Sequence, residues 1–274
     1  MTTLHARVSE AARALRRRFG GFKPRVGIVL GTGLGGVAKR IKARGRLPYG
    51  QVPHFPVSTV EGHSGRLVWG TLDGTPVLAM EGRFHVYEGH SLEQITLPVR
   101  VMRALGARTL LVSNACGGLN PQFQAGDIML IEDHINLMGV NPLIGPNDER
   151  LGPRFPDMSE PYDLGLLARA EKAALKHGIG THRGVYVAVS GPNLETRAEY
   201  RMLRGMAADV VGMSTVPEVI VAVHAGMKVL GLSIVTDRCL PDALKPTTLA
   251  EIIHVAHTAE PKLTAIVREV VRGL

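Results

Sequence analysis

The segment from Glu81 to His90 places Arg83, His85 and Tyr87 at alternate positions, with Phe84 and Val86 between them. On an extended strand successive side chains point to opposite faces, so the three polar residues would project together while Phe84 and Val86 anchor a core. A guanidinium that is always charged suits phosphate oxygens, an imidazole shares a proton near neutrality, and a phenol ring packs against a sugar. The segment reads either as a site for an anion beside a hydroxylated ring or as the polar face of a half-buried strand.

Further anion-capable residues end other apolar runs. Gly31 to Gly36 matches G-x-G-x-x-G after the apolar run 25–30. The acid that a dinucleotide ribose needs about 20 residues on is missing, because no Asp or Glu occurs between residues 37 and 60. The loop still offers backbone N–H groups and the Thr32 hydroxyl to a single phosphate, and a purely structural turn stays open as the alternative. Ser214, in Gly-Met-Ser-Thr-Val, begins like a nucleophile elbow, but Val216 stands where glycine is needed, which argues against a hydrolase triad. The 11 histidines form no His-Glu-x-x-His, so a metal site is not expected. No Gly-Lys-Ser or Gly-Lys-Thr marks a triphosphate loop. Glu195 and Asp237 are carboxylates that could read a polar heterocycle, or else serve as a helix cap and a surface ion pair.

The elements that must position these residues alternate in type. Strands are expected at 25–30, 65–72, 75–81, 109–113, 128–131, 184–189, 209–213 and 229–235, with Asp73-Gly74 as a hairpin turn. Helices are expected after Gly36, over 91–105 with Ser91 and Gln94 as a capping box, over 164–177, over 217–225 behind Ser214 or Thr215, and over 248–271 with a kink or break at Pro261. A Pro-rich stretch over 141–161 carries five prolines, long enough for a loop with a function. The pattern predicts an α/β fold, one three-layer domain spanning 1–274, with a mixed central β-sheet flanked by helices and functional residues at strand ends.

Composition narrows the partners. Of the net charge of +8, residues 1–46 contribute +11 through 12 Lys and Arg against Glu10 alone. The basic excess is thus local to an amphipathic surface helix over about 4–19, with Leu4, Val8, Ala11, Leu15 and Phe19 on its apolar face. No nucleic-acid motif accompanies it, so a solvated basic face is the expectation and nucleic acid is not an expected partner. No apolar run approaches the ~20 residues needed to cross a bilayer, so no membrane association is expected. Two cysteines, Cys116 and Cys239, fit a reducing, cytoplasmic setting.

Several separated blocks, in order, resemble the trimeric class of purine nucleoside phosphorylases, a family that shares its fold with 5′-methylthioadenosine phosphorylases. They are Gly31-Thr32-Gly33-Leu34-Gly35, Gly62-His63-Ser64-Gly65-Arg66-Leu67, Gly82-Arg83-Phe84-His85 through Tyr87-Glu88-Gly89, Asn114-Ala115-Cys116-Gly117-Gly118-Leu119, Gly126-Asp127-Ile128, Asp133-His134-Ile135-Asn136, Gly145 to Arg150, and Gly212-Met213-Ser214-Thr215-Val216-Pro217-Glu218. The resemblance implies a mixed sheet with flanking helices, a homotrimer with active sites near subunit interfaces, no metal or cofactor, and inorganic phosphate as co-substrate in reversible phosphorolysis of purine (deoxy)ribonucleosides. It implies phosphate binding by Thr32, His63, Arg83, His85, Ala115 and Ser214. Ribose would meet Tyr87, Met213 and, from a neighbouring subunit, Phe155. The base would meet Leu194, Glu195, Val211 and Asp237, with His85, Glu195 and Asp237 as the catalytic residues.

The departures concern the base. Members acting on 6-oxopurines usually carry Asn where this chain has Asp237, and Asp there resembles the methylthioadenosine and 6-aminopurine branch. An ionised Asp237 accepts from an amino group and repels a 6-oxo group, whereas Glu195 suits the N1–H of hypoxanthine or guanine. Leu194 replaces a usual Phe, and apolar Leu249 stands near a position where the family often has His. Purine nucleoside phosphorolysis is the leading expectation, methylthioadenosine phosphorolysis the second, and a nucleic-acid-binding protein a distant third.

Overall fold

The computed structural model describes residues 3–32, 34–57 and 64–274; Gly33, Gly62 and His63 lie outside them. Helix α1 (Leu4–Phe19) is capped by Thr3, buries Val8, Ala11, Ala12, Leu15 and Phe19, and turns its arginines outward. The chain then forms β1 (Val26–Leu30), the short α2 (Gly36–Arg40), β2 (Lys42–Pro48), β3 (Arg66–Leu72) and β4 (Thr75–Glu81). Strands β3 and β4 form the expected hairpin, with Asp73 and Gly74 both at positive φ. Helix α3 (Leu92–Leu105) begins with the Ser91–Gln94 capping box.

Next come β5 (Thr109–Gly118), β6 (Ile128–Asn136), α4 (Leu164–Lys176), β7 (Thr181–Ala188), α5 (Arg197–Gly205), β8 (Val210–Gly212), α6 (Val216–His224), β9 (Lys228–Arg238) and α7 (Leu249–Val271). The mixed sheet has nine strands in the order β2-β3-β4-β1-β5-β8-β7-β6-β9. An added β5–β9 pairing closes its last five strands on themselves. Helices α1, α3 and α6 pack together, as do α2, α4 and α7, and the two groups flank the sheet. This is the expected α/β fold with a mixed central sheet between helices.

Strands β1 and β4 are parallel, β1 and β5 are parallel, and so are β5 and β9. Their carboxyl ends therefore gather Thr32, Arg83, Asn114 and Asp237 at one edge, where ligands bind in open α/β sheets. A register shift between Cys116 and Gly117 sets Gly117 opposite Asp237. Such bulges re-aim side chains at the rims of barrels. A Cβ on Gly117 would overlap Cys239 Sγ, so glycine leaves room for the Asp237–Cys239 corner.

Four local expectations are corrected. Residues 81–90 are not one extended strand: β4 stops at Glu81, Gly82 takes φ +104, and Val86–Glu88 form a 3₁₀ turn closed by Glu88, which accepts from the His85 backbone N–H. Strands β5 and β6 run on past residues 113 and 131, since Asn114 to Gly118 pair with β9 and Asp133 to Asn136 with β7. Pro261 does not break α7, a helix of 23 residues that runs through it. Ser214 and Thr215 make no side-chain cap to α6, although Thr215 occupies the N-cap position. Strand β2 and helix α5 lay outside the expected set; α5 carries its own signature, the Thr196–Glu199 capping box.

Candidate active site

A cavity of about 570 Å³ opens at this edge, and its wall includes Thr32, Arg83, His85, Tyr87, Ala115, Leu194, Glu195, Val211, Met213, Ser214 and Asp237. Eleven of the thirteen residues singled out from sequence thus meet in one place. Of the other two, His63 lies outside the described residues. Phe155 is 86% exposed and borders a separate hollow with Ile144 and Met158.

Arg83 anchors one end. It is 1% exposed, and Glu218 of α6 accepts from its Nε at 2.9 Å while the Ser113 carbonyl and Ser214 Oγ accept from Nη1 at 2.7 and 3.2 Å. A buried cation needs such a partner, because desolvation of the unpaired charge costs several kcal/mol. Gly31 lets β1 end against this group, since a Cβ there would lie 2.8 Å from the Ser113 carbonyl. Glu218 sits in the first turn of α6, where the helix dipole favours a carboxylate.

Ser214 is fixed by the turn behind it. Thr215 holds φ +70 and ψ −56, and the Val216 N–H donates to the Ser214 carbonyl at 2.7 Å, a γ-turn that a β-branched residue adopts only under strain. The Asn114 side chain donates to Thr215 Oγ1 at 2.9 Å, and the Ser214 N–H donates to the Tyr186 hydroxyl at 3.3 Å. Strain of about 1–3 kcal/mol persists only where surroundings impose it, and here they aim Ser214 into the cavity.

His85 Nδ1 lies 3.2 Å from Glu88 Oε1, and its ring stacks on Tyr87 at 4.7 Å. With a carboxylate as the acceptor, Nδ1 carries the proton. Burial, acting more strongly than Glu88, holds the imidazole below its usual pKa and so in the neutral form. Burial likewise pushes the Tyr87 phenol up to about 12.

The other end is built from carboxylates. Asp237 accepts from the Thr236 hydroxyl at 2.9 Å and from the Cys239 thiol at 3.1 Å. Burial raises the Glu195 carboxyl above its ordinary pKa, opposed by hydrogen bonding from its own backbone and from Tyr200 and reinforced by the Asp237 charge. Leu194 and Leu249, each about half exposed, form apolar rims at 47% and 49% exposure.

Five contributors went unassigned from sequence: Glu88, Asn114, Tyr200, Glu218 and Cys239. Glu88 and Asn114 sit inside motifs already singled out, and Glu218 follows Ser214 by one helical turn, so spacing pointed to them. Tyr200 and Cys239 carry no local signal, since only the packing of α5 against the segment that follows β9 brings them into one cluster. Among the described residues no three His, Cys, Asp or Glu cluster where they could hold a metal ion, and no helix is long and apolar enough to cross a membrane.

Comparison with known proteins accords with this geometry. Residues 25–272 match the family model described as the phosphorylase superfamily. Purine nucleoside phosphorylase 1 of Geobacillus stearothermophilus is 50% identical over 267 residues, 97% of either chain. Its namesake in Bacillus subtilis (strain 168) is 53% identical over 90% of this chain and 92% of its own. The crystal structure of Schistosoma mansoni purine nucleoside phosphorylase with adenosine superimposes with a TM-score of 0.92 at 41% identity, covering 97% of this chain and 96% of that one. A further schistosome structure, with hypoxanthine, has the same TM-score of 0.92. The chain belongs to the phosphorylase superfamily, within its purine nucleoside phosphorylase family.

Proposed function

We infer that this chain catalyses the reversible phosphorolysis of purine (deoxy)ribonucleosides, yielding free base and (deoxy)ribose 1-phosphate. The observation that carries this reading is the meeting, in one cavity, of a buried Arg83–Ser214 corner with the carboxylates Glu195 and Asp237. In this reading phosphate sits among Thr32, Arg83, His85, the backbone at Ala115 and Ser214, with His63 completing the set. Ribose lies against Tyr87 and Met213, and Phe155 of a neighbouring subunit closes over it. The exposure of Phe155 supports that role, because at 86% exposure its own chain, Arg154 apart, leaves the ring open to a neighbour. The base lies between Leu194 and Val211, read by Glu195 and Asp237.

The chemistry follows from charge placement. As the C1′–N9 bond breaks, its electron pair leaves with the purine and positive charge develops on the ribose. A phosphate held close to C1′ stabilises that charge and then forms the new C1′–O bond. Arg83 and Ser214 hold the phosphate, neutral His85, its Nδ1–H engaged by Glu88, leaves Nε2 to accept from a protonated phosphate oxygen without adding a second buried cation, and hydrogen bonds at the base end stabilise the departing purine. Phosphate is the co-substrate, and no metal or organic cofactor takes part. The enzyme works as a homotrimer in the cytoplasm, in purine salvage.

Apolar Leu249 and Ile252 in the cavity wall favour a second substrate, 5′-methylthioadenosine, whose thioether needs no hydrogen bond. The schistosome relative holds adenosine in one structure and hypoxanthine in the other, so both base types bear on this chain. The deciding experiment measures base release from inosine, guanosine, adenosine and methylthioadenosine with and without phosphate. Phosphate-dependent release is expected. Release unaffected by omitting phosphate would identify a nucleosidase, and salt-sensitive oligonucleotide binding without release would return the nucleic-acid reading.

A further inference from the structure

We propose that the buried Arg100–His224 pair positions Phe155, by seating Gly152 and with it the loop from which Phe155 reaches a neighbouring subunit's ribose. The inference rests on the reading of Phe155 given above and adds two positioning residues that lie outside the cavity wall.

Arg100, on α3, is 5% exposed, and among the described residues no carboxylate lies within ion-pair distance of it; burial draws its pKa down to about 10. Its Nη1 donates to Nδ1 of His224, the last residue of α6, at 3.2 Å. A guanidinium can only donate, so Nδ1 accepts and the imidazole is neutral with its proton on Nε2. His224 is 4% exposed, and burial together with the Arg100 charge holds its pKa below the ordinary value, in keeping with that form. The complement to the Arg100 charge is the helix end itself. Arg103 Nε donates to the Ala225 carbonyl at 2.9 Å, so two arginines of α3 meet the carboxyl end of α6, where the dipole favours cations. A buried Arg–His pair costs more desolvation than two apolar side chains of similar volume, and what it adds is a fixed orientation of the ring.

That orientation matters because the loop backbone lies on the ring. Gly152 holds φ +153, and a Cβ there would overlap the His224 carbonyl and stand 2.7 Å from both Nδ1 and Cε1 of the imidazole. From Gly152 to Phe155 the loop is tied to itself. The Asn147 amide donates to the Gly152 carbonyl at 3.2 Å, and Arg154 Nη1 donates to the Gly145 and Leu143 carbonyls at 2.6 and 3.3 Å. The Arg154 guanidinium in turn lies 5.6 Å from the centroid of the Phe155 ring. Phe155 is 86% exposed, so its place is set by this backbone and not by a core around its ring. A turned or missing imidazole lets Gly152 settle elsewhere, and Phe155, three residues on, moves with it. A misplacement of about 1 Å, even from a change far from the chemistry, is enough to cost up to about 100-fold.

The test measures KM for phosphate and for inosine or adenosine, whichever turns over faster. Arg100→Met together with His224→Phe removes the pair at similar volume and leaves no buried cation unpaired, so the fold should persist. The nucleoside KM should rise about tenfold, with the phosphate KM within about twofold of the parent. Gly152→Ala keeps the pair but lifts the loop off the ring, and should raise the nucleoside KM by a similar factor, about tenfold. Phe155→Ala should raise it by about tenfold or more, and in that background neither change should add more than about twofold, because all three act through one ring. Losses that multiply with Phe155→Ala, or that fall equally on both KM values, would show that the pair only stabilises the core and would overturn the inference. An unchanged nucleoside KM in both the double replacement and Gly152→Ala would overturn it as well, while leaving the reading of Phe155 standing. If Phe155→Ala itself left the nucleoside KM unchanged, the reading on which the inference rests would be the one to fall.

Discussion

The two ends of the cavity are made in opposite ways. At the Arg83 end a buried ion pair with Glu218 and a strained turn at Thr215 leave little freedom. At the Glu195 end the side chains come from an irregular loop after β7 and from the last residues of β9, and Leu194 stays 47% exposed. Burial fixes geometry by making every displacement leave a charge or a polar group unmatched, so it suits a ligand that never varies. Partial exposure lets side chains and loop position adjust, which suits a ligand that comes in several forms. Phosphate belongs to the first kind and purine bases to the second.

The sharpest way to break this contrast is at Arg83. Arg83→Ala should lower kcat/KM by about 10³-fold and, by leaving Glu218 buried without a partner, cost about 3–5 kcal/mol of stability. A double replacement of Arg83 and Glu218 by methionine should regain most of that stability and none of the activity. Chemical denaturation and initial rates separate the two losses, and near-normal turnover of the single variant would sink the anion-site reading. Asp237→Ala should behave differently. A loss of about 100-fold in kcat is expected with under about 1 kcal/mol of destabilisation, because Asp237 is only half buried and its partners are neutral. A large drop in melting temperature would show that the base end is as rigidly built as the Arg83 end.

Asn114 tests whether the strain at Thr215 matters. Asn114→Ala removes the 2.9 Å bond to Thr215 Oγ1. The turn should then relax, raising KM for phosphate by about tenfold while the KM for nucleoside changes little, as expected for a loss of about 1–2 kcal/mol in positioning. An unchanged phosphate KM would show that the backbone alone holds Ser214 in place.

Much of this was readable without coordinates, for identifiable reasons. Alternation and turn chemistry located the β3–β4 hairpin, and the Ser91 capping box located α3, because both signals are local. The residues of the cavity were legible as types: Arg83, His85 and Tyr87 do line it together. Their geometry was not legible, since a 3₁₀ turn after β4, and not strand alternation, turns them inward. The length of β5 and β6 was hidden because polar residues such as Asn114 and Asp133 continue the strands wherever neighbouring strands supply the pairing. Closure of the last five strands through β5 and β9 joins residues about 120 positions apart, beyond any periodic signal. Pro261 stays helical because its neighbours on α7 are anchored by a buried stripe that includes Ala259, Leu263, Ile266 and Val267, which offsets the one lost backbone bond.

Acidity distinguishes the two ends most gently. Burial lowers the His85 pKa below its ordinary 6.5, so the unfolded chain takes up a proton more readily than the folded one. The resulting stability is complete above pH 6.5 and is lost as pH falls through the lowered folded value; His134 and His224, also depressed by burial, act in the same direction. Glu195 acts in the opposite sense. Its pKa is raised above the ordinary 4.5, so its contribution is complete below that value and is lost as pH rises through the raised folded pKa. Melting curves between about pH 7.5 and pH 5.5 should therefore show the parent losing stability on acidification, with His85→Asn flattening the fall by about 2 °C. Glu195→Gln should raise the melting temperature at neutral pH by about 1–2 °C, because an amide of the same shape carries no charge to desolvate. If both variants instead shifted the curve in the same direction at every pH, the two ends would not differ in the sign of their electrostatic cost, and the contrast between a fixed anion end and an adjustable base end would have to rest on geometry alone.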